Sequence, residues 1–105
     1  MIKAETKELI NQAVQVEYEN ACSYGEKYNT EHEAWAVLKE EIEESKEELE
    51  MIQNYHSMVW NLIKLNKGDK NFCLDTMERH ARNMVAEGCQ VLAVIRKFKR
   101  TVGAE

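Results

Sequence analysis

The alternation of apolar and polar positions along the chain predicts three amphipathic α-helices. The first segment runs from about Ala4 to Tyr28. Its core-facing positions follow alternating steps of three and four residues, which is the spacing of one helix face. Gly25 and Asn29 indicate that the helix frays or ends near them. The positions on this face are Ile10, Val14, Glu17, Ala21, Tyr24 and Tyr28.

The second segment opens at Thr30, which is a favourable helix N-cap, and Glu33 three residues later completes a capping box. The helix runs either unbroken to about Asn66 or with a kink near Asn54, and Gly68 ends it. Unbroken, it is roughly 54 Å long, which is long for a domain of this size. Its predicted core face comprises Leu38, Ile42, Ser45, Leu49, Ile52, His56, Val59 and Ile63.

The third segment begins at either Asp69 or Asp75, since Asp75 forms a second capping-box pair with Glu78. Cationic residues near its end suit the negative end of the helix dipole. Its predicted core face comprises Met77, His80, Met84, Glu87, Val91, Val94 and Phe98.

Three such segments joined by short connections predict an all-α bundle. The 105 residues are enough for one domain, 1–105, and too few for two. Three apolar stripes rarely close a core by themselves. We therefore expect a homodimer, or a higher homo-oligomer, in which a second copy completes a four-helix core.

Composition and charge narrow the classes of function. The formal net charge of −5 argues against a nucleic-acid partner, which requires a basic surface. No apolar run approaches the ~20 residues of a membrane span, and the N-terminus lacks the apolar stretch of a signal peptide. The three cysteines show no paired spacing and are expected to be free thiols. These features predict a cytoplasmic protein.

Acidic residues on the predicted core faces are the main indication of chemistry. Glu87 lies within the third stripe, while Glu41, Glu44 and Glu48 line one edge of the second. Buried carboxylates that converge are costly unless they are protonated, paired or bound to a cation. Mg²⁺ or Mn²⁺ accepts such oxygen ligands, which Gln90 can also supply. The alternative is that Glu87 pairs with a lysine or arginine, or is exposed at a loose end of the bundle.

The stretch "EEIEE", at residues 40–44, resembles the EExxE motif of the MazG-like all-α nucleotide pyrophosphohydrolases. The wider context "VEYENACSYGEKYNTEHEAWAVLKEEIEESKEEL" and the later "NMVAEGCQVLAVIRKF" are similar to small phage and prophage members of that family. In the family, EExxE on one helix and ExxD on a later helix bind Mg²⁺, which engages a nucleoside triphosphate.

The resemblance implies a set of site residues. Glu41, Glu44 and Glu87 correspond to metal ligands, Gln90 stands where the family has aspartate, and Glu17 is a nearby acid of the first helix. The segment between the two motifs is longer than in typical members. A second register of the motif, at Glu43, Glu44 and Glu47, is possible, but helical projection favours Glu41 beside the core.

Two main hypotheses follow from the residues and the resemblance. In the first, the chain is an Mg²⁺-dependent pyrophosphohydrolase of nucleoside triphosphates, with Glu17 or Glu48 as the general base. In the second, it is a helical oligomer that keeps the fold without turnover, which the loss of charge at Gln90 favours. A helical adaptor that binds another protein's helices is a third possibility.

Overall fold

The computed structural model describes residues 1–103, which form three α-helices and no β-strand. Helix α1 spans Ala4–Ala21, α2 spans Glu31–Leu65 and α3 spans Lys70–Thr101. The all-α fold class is therefore confirmed. None of the described helices has a stretch long and apolar enough to cross a membrane.

Helix α3 occupies the centre of the bundle. It packs against both α1 and α2, whereas within residues 1–103 α1 and α2 do not pack directly against each other. Helix α2 is antiparallel to α3, since Glu48 near the middle of α2 bonds to His80, whereas Tyr28 just before α2 bonds to Thr101 at the end of α3. A space therefore remains between α1 and α2, and α3 closes one side of it.

Capping side chains set where α2 and α3 begin. Thr30 caps α2, with its hydroxyl accepting a hydrogen bond from the Glu33 backbone N–H at 3.0 Å, as its sequence predicts. Asp69 caps α3 by accepting from the Phe72 N–H at 3.1 Å. The third helix therefore begins after Asp69, and Asp75 lies inside it.

The structure decides one helix boundary that the sequence left open and corrects another. Helix α2 is one continuous helix of 35 residues without an interruption near Asn54. Helix α1 is shorter than predicted, because it ends at Ala21 and the predicted helix to Tyr28 was wrong. Gly25 has a φ of 145°, and Tyr24 is fully exposed in the connection that follows the helix.

The side of α2 that faces α3 keeps half of the predicted core face, namely Leu38, Ser45, Ile52 and Val59. Its less exposed positions again alternate by four and three residues, as in a coiled-coil seam. The other half of that prediction was wrong, since Ile42, Leu49, His56 and Ile63 are exposed in the single chain. The observed seam comprises Ala34, Leu38, Glu41, Ser45, Glu48, Ile52, Tyr55, Val59 and Leu62.

Candidate metal centre

Three carboxylates meet in the seam between α2 and α3. Glu41 and Glu44 lie three residues apart on α2 and therefore project from neighbouring turns of one face. Glu87 reaches the same place from α3. One carboxylate oxygen from each of Glu41, Glu44 and Glu87, here called the carboxylate trio, lies within 4.8 Å of the others.

The spacing of the carboxylate trio approaches that of an octahedral metal site. Oxygens on opposite sides of an Mg²⁺ ion are about 4.2 Å apart, because each lies about 2.1 Å from the ion. Oxygens on neighbouring sides of the ion are about 3.0 Å apart, so the three oxygens, which lie within 4.8 Å of one another, have to move closer together to share one ion. Glu44 is exposed while Glu41 and Glu87 are half-buried, so the trio opens toward solvent on one side.

Two oxygens of the carboxylate trio are buried without a partner. Within residues 1–103, no other side chain or backbone group donates a hydrogen bond to Glu41 Oε2 or Glu87 Oε2, so only a proton held between the carboxyls or a cation can satisfy them. A buried acceptor without a partner costs about 1–3 kcal/mol, and a charged one costs more. The predicted alternative, a Glu87 carboxylate paired with lysine or arginine, is therefore not what these residues form.

The electrostatics of the carboxylate trio favour added protons or a cation. Burial, and then the neighbouring Glu44 and Glu41, raise the pKa of Glu87 to about 7. Burial and the charge of Glu44 also raise the pKa of Glu41, which the contact with Glu87 partly offsets. Without a cation the Glu41 and Glu87 carboxyls therefore share a proton over part of the neutral pH range.

Two residues of the alternative motif register, Glu43 and Glu47, lie outside the carboxylate trio. Glu43 is exposed and forms an i,i+4 ion pair with Lys39 at 3.8 Å. Glu40 and Glu47 are exposed as well, and Lys46 pairs with Glu50 at 3.9 Å. These residues form the solvated side of α2, as the helical projection predicts.

A cleft of about 250 Å³ adjoins the carboxylate trio, with walls from all three helices. It lies in the space between α1 and α2, and α3 forms its floor. Glu17 and Gln90, both predicted as site residues, line it beside Glu41. The remaining lining residues are Asn20, Ala21, Tyr28, Val37, Ala93 and Val94.

Glu48, the other candidate base, lies elsewhere along the seam. Its Oε2 is 2.6 Å from Nδ1 of His80, and both side chains are largely buried. It does not line the cleft, and it stands one helical turn beyond Glu44. His80, which was predicted to lie on the core face of α3, is thus hydrogen-bonded within the seam.

The far wall of the cleft is held by a buried lysine. Lys97 is 7% exposed, and its Nζ donates a hydrogen bond to the Ala21 carbonyl at 2.7 Å. The same ammonium lies 4.4 Å from the centroid of the Tyr28 ring. The Tyr28 N–H donates to Thr101 Oγ1 at 2.9 Å. These contacts fix the connection between α1 and α2 against α3 and so define the cleft.

Sequence reasoning did not identify Asn20 and Tyr28 as residues of the cleft. Asn20 could have been found, since it stands three residues after Glu17 and therefore on the same side of α1. Tyr28 could not, because its predicted place on a continuing helix face was wrong. It reaches the cleft only through the turn after Ala21.

Comparisons of the chain with protein-family models, with curated proteins and with solved structures found no match. The similarity to the MazG-like pyrophosphohydrolases therefore rests on the motif residues alone and stays a prediction.

Proposed function

We propose that the chain is a divalent-cation-dependent nucleotide pyrophosphohydrolase, cleaving a nucleoside triphosphate into a monophosphate and pyrophosphate. The observation that carries this proposal is the carboxylate trio with its two buried, unpartnered oxygens. Without a cation this arrangement requires an added proton, and around Mg²⁺ or Mn²⁺ it is favourable with all three carboxylates ionised. We propose a cytoplasmic location, since the three free cysteines suit a reducing compartment.

In this proposal each residue of the site has a defined task. Glu41, Glu44 and Glu87 hold the cation, and Gln90 offers its amide oxygen from the floor of the cleft. Bound Mg²⁺ would orient the phosphates, stabilise developing charge and lower the pKa of the attacking water. Glu17 is the favoured base over Glu48, because it lines the cleft beside Glu41 while Glu48 is paired with His80.

The size of the cleft limits what can lie inside it. Its 250 Å³ is below the usual 300–1,000 Å³ of pockets that enclose a drug-sized ligand. A nucleoside triphosphate therefore places one part in the cleft and leaves the rest near the exposed Glu44. In the orientation that we propose, the phosphates lie beside the carboxylate trio and the nucleoside points toward Tyr28. This orientation keeps the anionic groups next to the cation.

The second candidate is a helical oligomer or adaptor of phage or prophage type that has lost turnover. Gln90 supports it, because an amide in place of the family's aspartate removes one negative charge from the proposed site. Extensive exposed apolar surface on the helices supports the oligomer as well.

One assay separates these two candidates. Purified protein is incubated with Mg²⁺ and each NTP and dNTP, and pyrophosphate release is measured for the wild type, Gln90→Asp and Glu44→Gln. An enzyme releases pyrophosphate, loses that activity by at least about tenfold with Glu44→Gln, and keeps or gains it with Gln90→Asp. No release from any variant, with metal binding intact, contradicts the enzyme and favours the second candidate.

A further inference from the structure

Lys97 is a buried cation to which the proposed reaction assigns no task. Only 7% of its side chain is exposed, although lysine is almost never fully buried unless it is paired. Within residues 1–103 it forms no ion pair with a carboxylate. Removing an ammonium group from water is costly, so contacts of another kind must compensate for it.

The first compensating contact is with the end of α1. Lys97 Nζ donates a hydrogen bond at 2.7 Å to the carbonyl of Ala21, the last residue of that helix. The last carbonyls of a helix have no partner within the helix, and a cation beside them also suits the helix dipole. The last turn of α1 contains no basic residue. Lys97 therefore supplies from α3 the cation that α1 lacks.

The second compensating contact is with the ring of Tyr28. The ammonium lies 4.4 Å from the ring centroid, which is within the range of a cation–π interaction. Tyr28 lines the cleft and Lys97 does not, so the ring lies between the ammonium and the cleft. The side of the ring that points away from Lys97 is therefore the side that the cleft presents to a ligand.

The place of Tyr28 depends on its contacts with α3. It belongs to the connection between α1 and α2, in which residues 23–27, 29 and 30 are all exposed. Because α1 and α2 do not pack directly against each other within residues 1–103, the two helices do not hold this connection between them. The Tyr28 N–H donates to Thr101 Oγ1, which fixes the backbone, and Lys97 is the contact that orients the ring.

The ring offers a surface suited to a nucleobase. Every base has a π-face, and stacking on an aromatic side chain strengthens binding with little dependence on which base it is. Ala21, Ala93 and Val94 add apolar lining beside the ring. The cleft of about 250 Å³ is too small to enclose a drug-sized ligand, whereas a base alone is a much smaller group.

We propose that Lys97 is a positioning residue, which holds the Tyr28 ring in the orientation that stacks on the base of a bound nucleotide. This inference rests on the proposed function, since it takes a nucleotide as the ligand of the cleft. Lys97 acts through the ring and does not contact the nucleotide. It follows Glu87 by ten residues, or about 15 Å along α3, so metal binding by the carboxylate trio does not depend on it.

Calorimetric titration of the full chain with nucleotide analogues tests this role. The probes are the α,β-methylene triphosphates of the four common bases with Mg²⁺, since these analogues bind without releasing pyrophosphate. Lys97→Met keeps an unbranched side chain without the charge and should weaken binding at least about threefold. Tyr28→Leu removes the ring and should weaken binding at least about fivefold, the lower end of what loss of stacking causes.

Two further variants separate the charge of Lys97 from its place in the helix. Lys97→Arg keeps a cation that can lie over the ring, and its nucleotide affinity should stay within about twofold of the wild type. Lys99→Met is the matched control, because Lys99 is an exposed lysine of the same helix end, and it should also bind as the wild type does.

The double variant Lys97→Met with Tyr28→Leu decides whether Lys97 acts through the ring. It should bind nucleotide as weakly as Tyr28→Leu alone, within about twofold, because a positioning residue has no effect once the group that it positions is gone. A further loss of about threefold or more would show that the Lys97 charge attracts the phosphates directly, and would overturn the proposal. Lys97→Met that binds as tightly as the wild type overturns it as well.

Tyr28→Leu keeps the test decisive if Lys97→Met fails to fold, because an unchanged nucleotide affinity for Tyr28→Leu also overturns the proposal. Every folded variant should bind Mg²⁺ alone with the affinity of the wild type, which shows that the carboxylate trio is intact. A wild type that binds Mg²⁺ but no nucleotide contradicts the proposed function together with this inference. A wild type that binds nucleotide as tightly as Tyr28→Leu does contradicts this inference alone.

Discussion

The carboxyl group of Glu87 lies beside two other carboxyl groups, in a seam where apolar side chains are usual. Burial and the charges of its neighbours raise the pKa of this group to about 7, from an ordinary value of 4.5. Between those two values the folded chain holds a proton that the unfolded chain has released. Stability is consequently linked to pH at this one residue, and so is the metal binding that we propose.

In metal-free buffer, the stability of the protein should fall as pH rises from about 4.5 to about 7 and change less above that. The unfolded chain binds fewer protons than the folded chain in this window, so the free energy of unfolding decreases with pH. The Glu87 contribution is on the order of 1–3 kcal/mol. Urea unfolding at pH 5, 6 and 8 with a chelator measures it. Glu87→Gln should flatten the pH dependence, and an equally steep Glu87→Gln curve would refute this assignment.

The Glu48–His80 contact should contribute to stability through a direct coupling. A largely buried hydrogen bond with a short 2.6 Å separation is expected to give a coupling energy of about 1–2 kcal/mol. A double-mutant cycle of Glu48→Ala and His80→Ala, measured by urea unfolding, gives that value. Glu47→Ala on the exposed side of α2 is the control. Additive effects of the two substitutions would show that the side chains do not interact.

Individual residues of the candidate site were predictable where helical geometry alone decides their direction. Glu41 and Glu87 follow from projection of their helices onto a seam, and the structure brings them together. The partner of Glu48 was not predictable, because antiparallel alignment of α2 with α3 sets which residues meet. That alignment depends on the length of the turn between them and on packing over their full lengths.

At the scale of elements, the turn between α2 and α3 depends on a glycine. Asn66 ends α2 with a φ of 51°, and Gly68 follows with a φ of 89°. A Cβ at Gly68 would lie 2.5 Å from Leu62 Cδ2. The position therefore combines a backbone conformation that favours glycine with a close side-chain contact.

Gly68→Ala should destabilise the protein by about 1–3 kcal/mol, because the variant must adopt the left-handed conformation and displace the Leu62 side chain. Thermal or urea unfolding measures the change. Ser57→Ala, at an exposed position within α2, is the control and should stay within about 0.5 kcal/mol of the wild type. An unchanged stability for Gly68→Ala would mean that the turn relaxes without cost.

Helix starts were more predictable than helix ends and helix faces. Thr30 and Asp69 were both predicted as possible helix N-caps, and both cap a helix. Such caps are predictable because the capping side chain bonds to a backbone N–H only three residues away. The end of α1 was missed, since Tyr24 and Tyr28 continue the helical spacing although the chain turns after Ala21. Helix α2 carries two neighbouring seams that share Leu38, Ser45, Ile52 and Val59, and spacing alone does not tell which one faces α3.

Over the whole molecule, a central α3 with α1 and α2 on either side creates the cleft. The three-helix, all-α class was predictable from periodicity because the helices are long and strongly amphipathic. Which helix is central was not, since that depends on contacts among residues distant in sequence. The structure therefore adds the cleft and the placement of Glu17 and Gln90 in it.

Binding of a divalent cation by the carboxylate trio is the central claim, and calorimetric titration tests it most directly. Mg²⁺ and Mn²⁺ are titrated at pH 7 into the wild type, Glu87→Gln and the exposed control Glu47→Gln. We expect saturable binding with proton release for the wild type and the control, and at least about tenfold weaker binding for Glu87→Gln. No saturable binding by the wild type at millimolar metal, or equal binding by Glu87→Gln, would contradict the proposed metal centre.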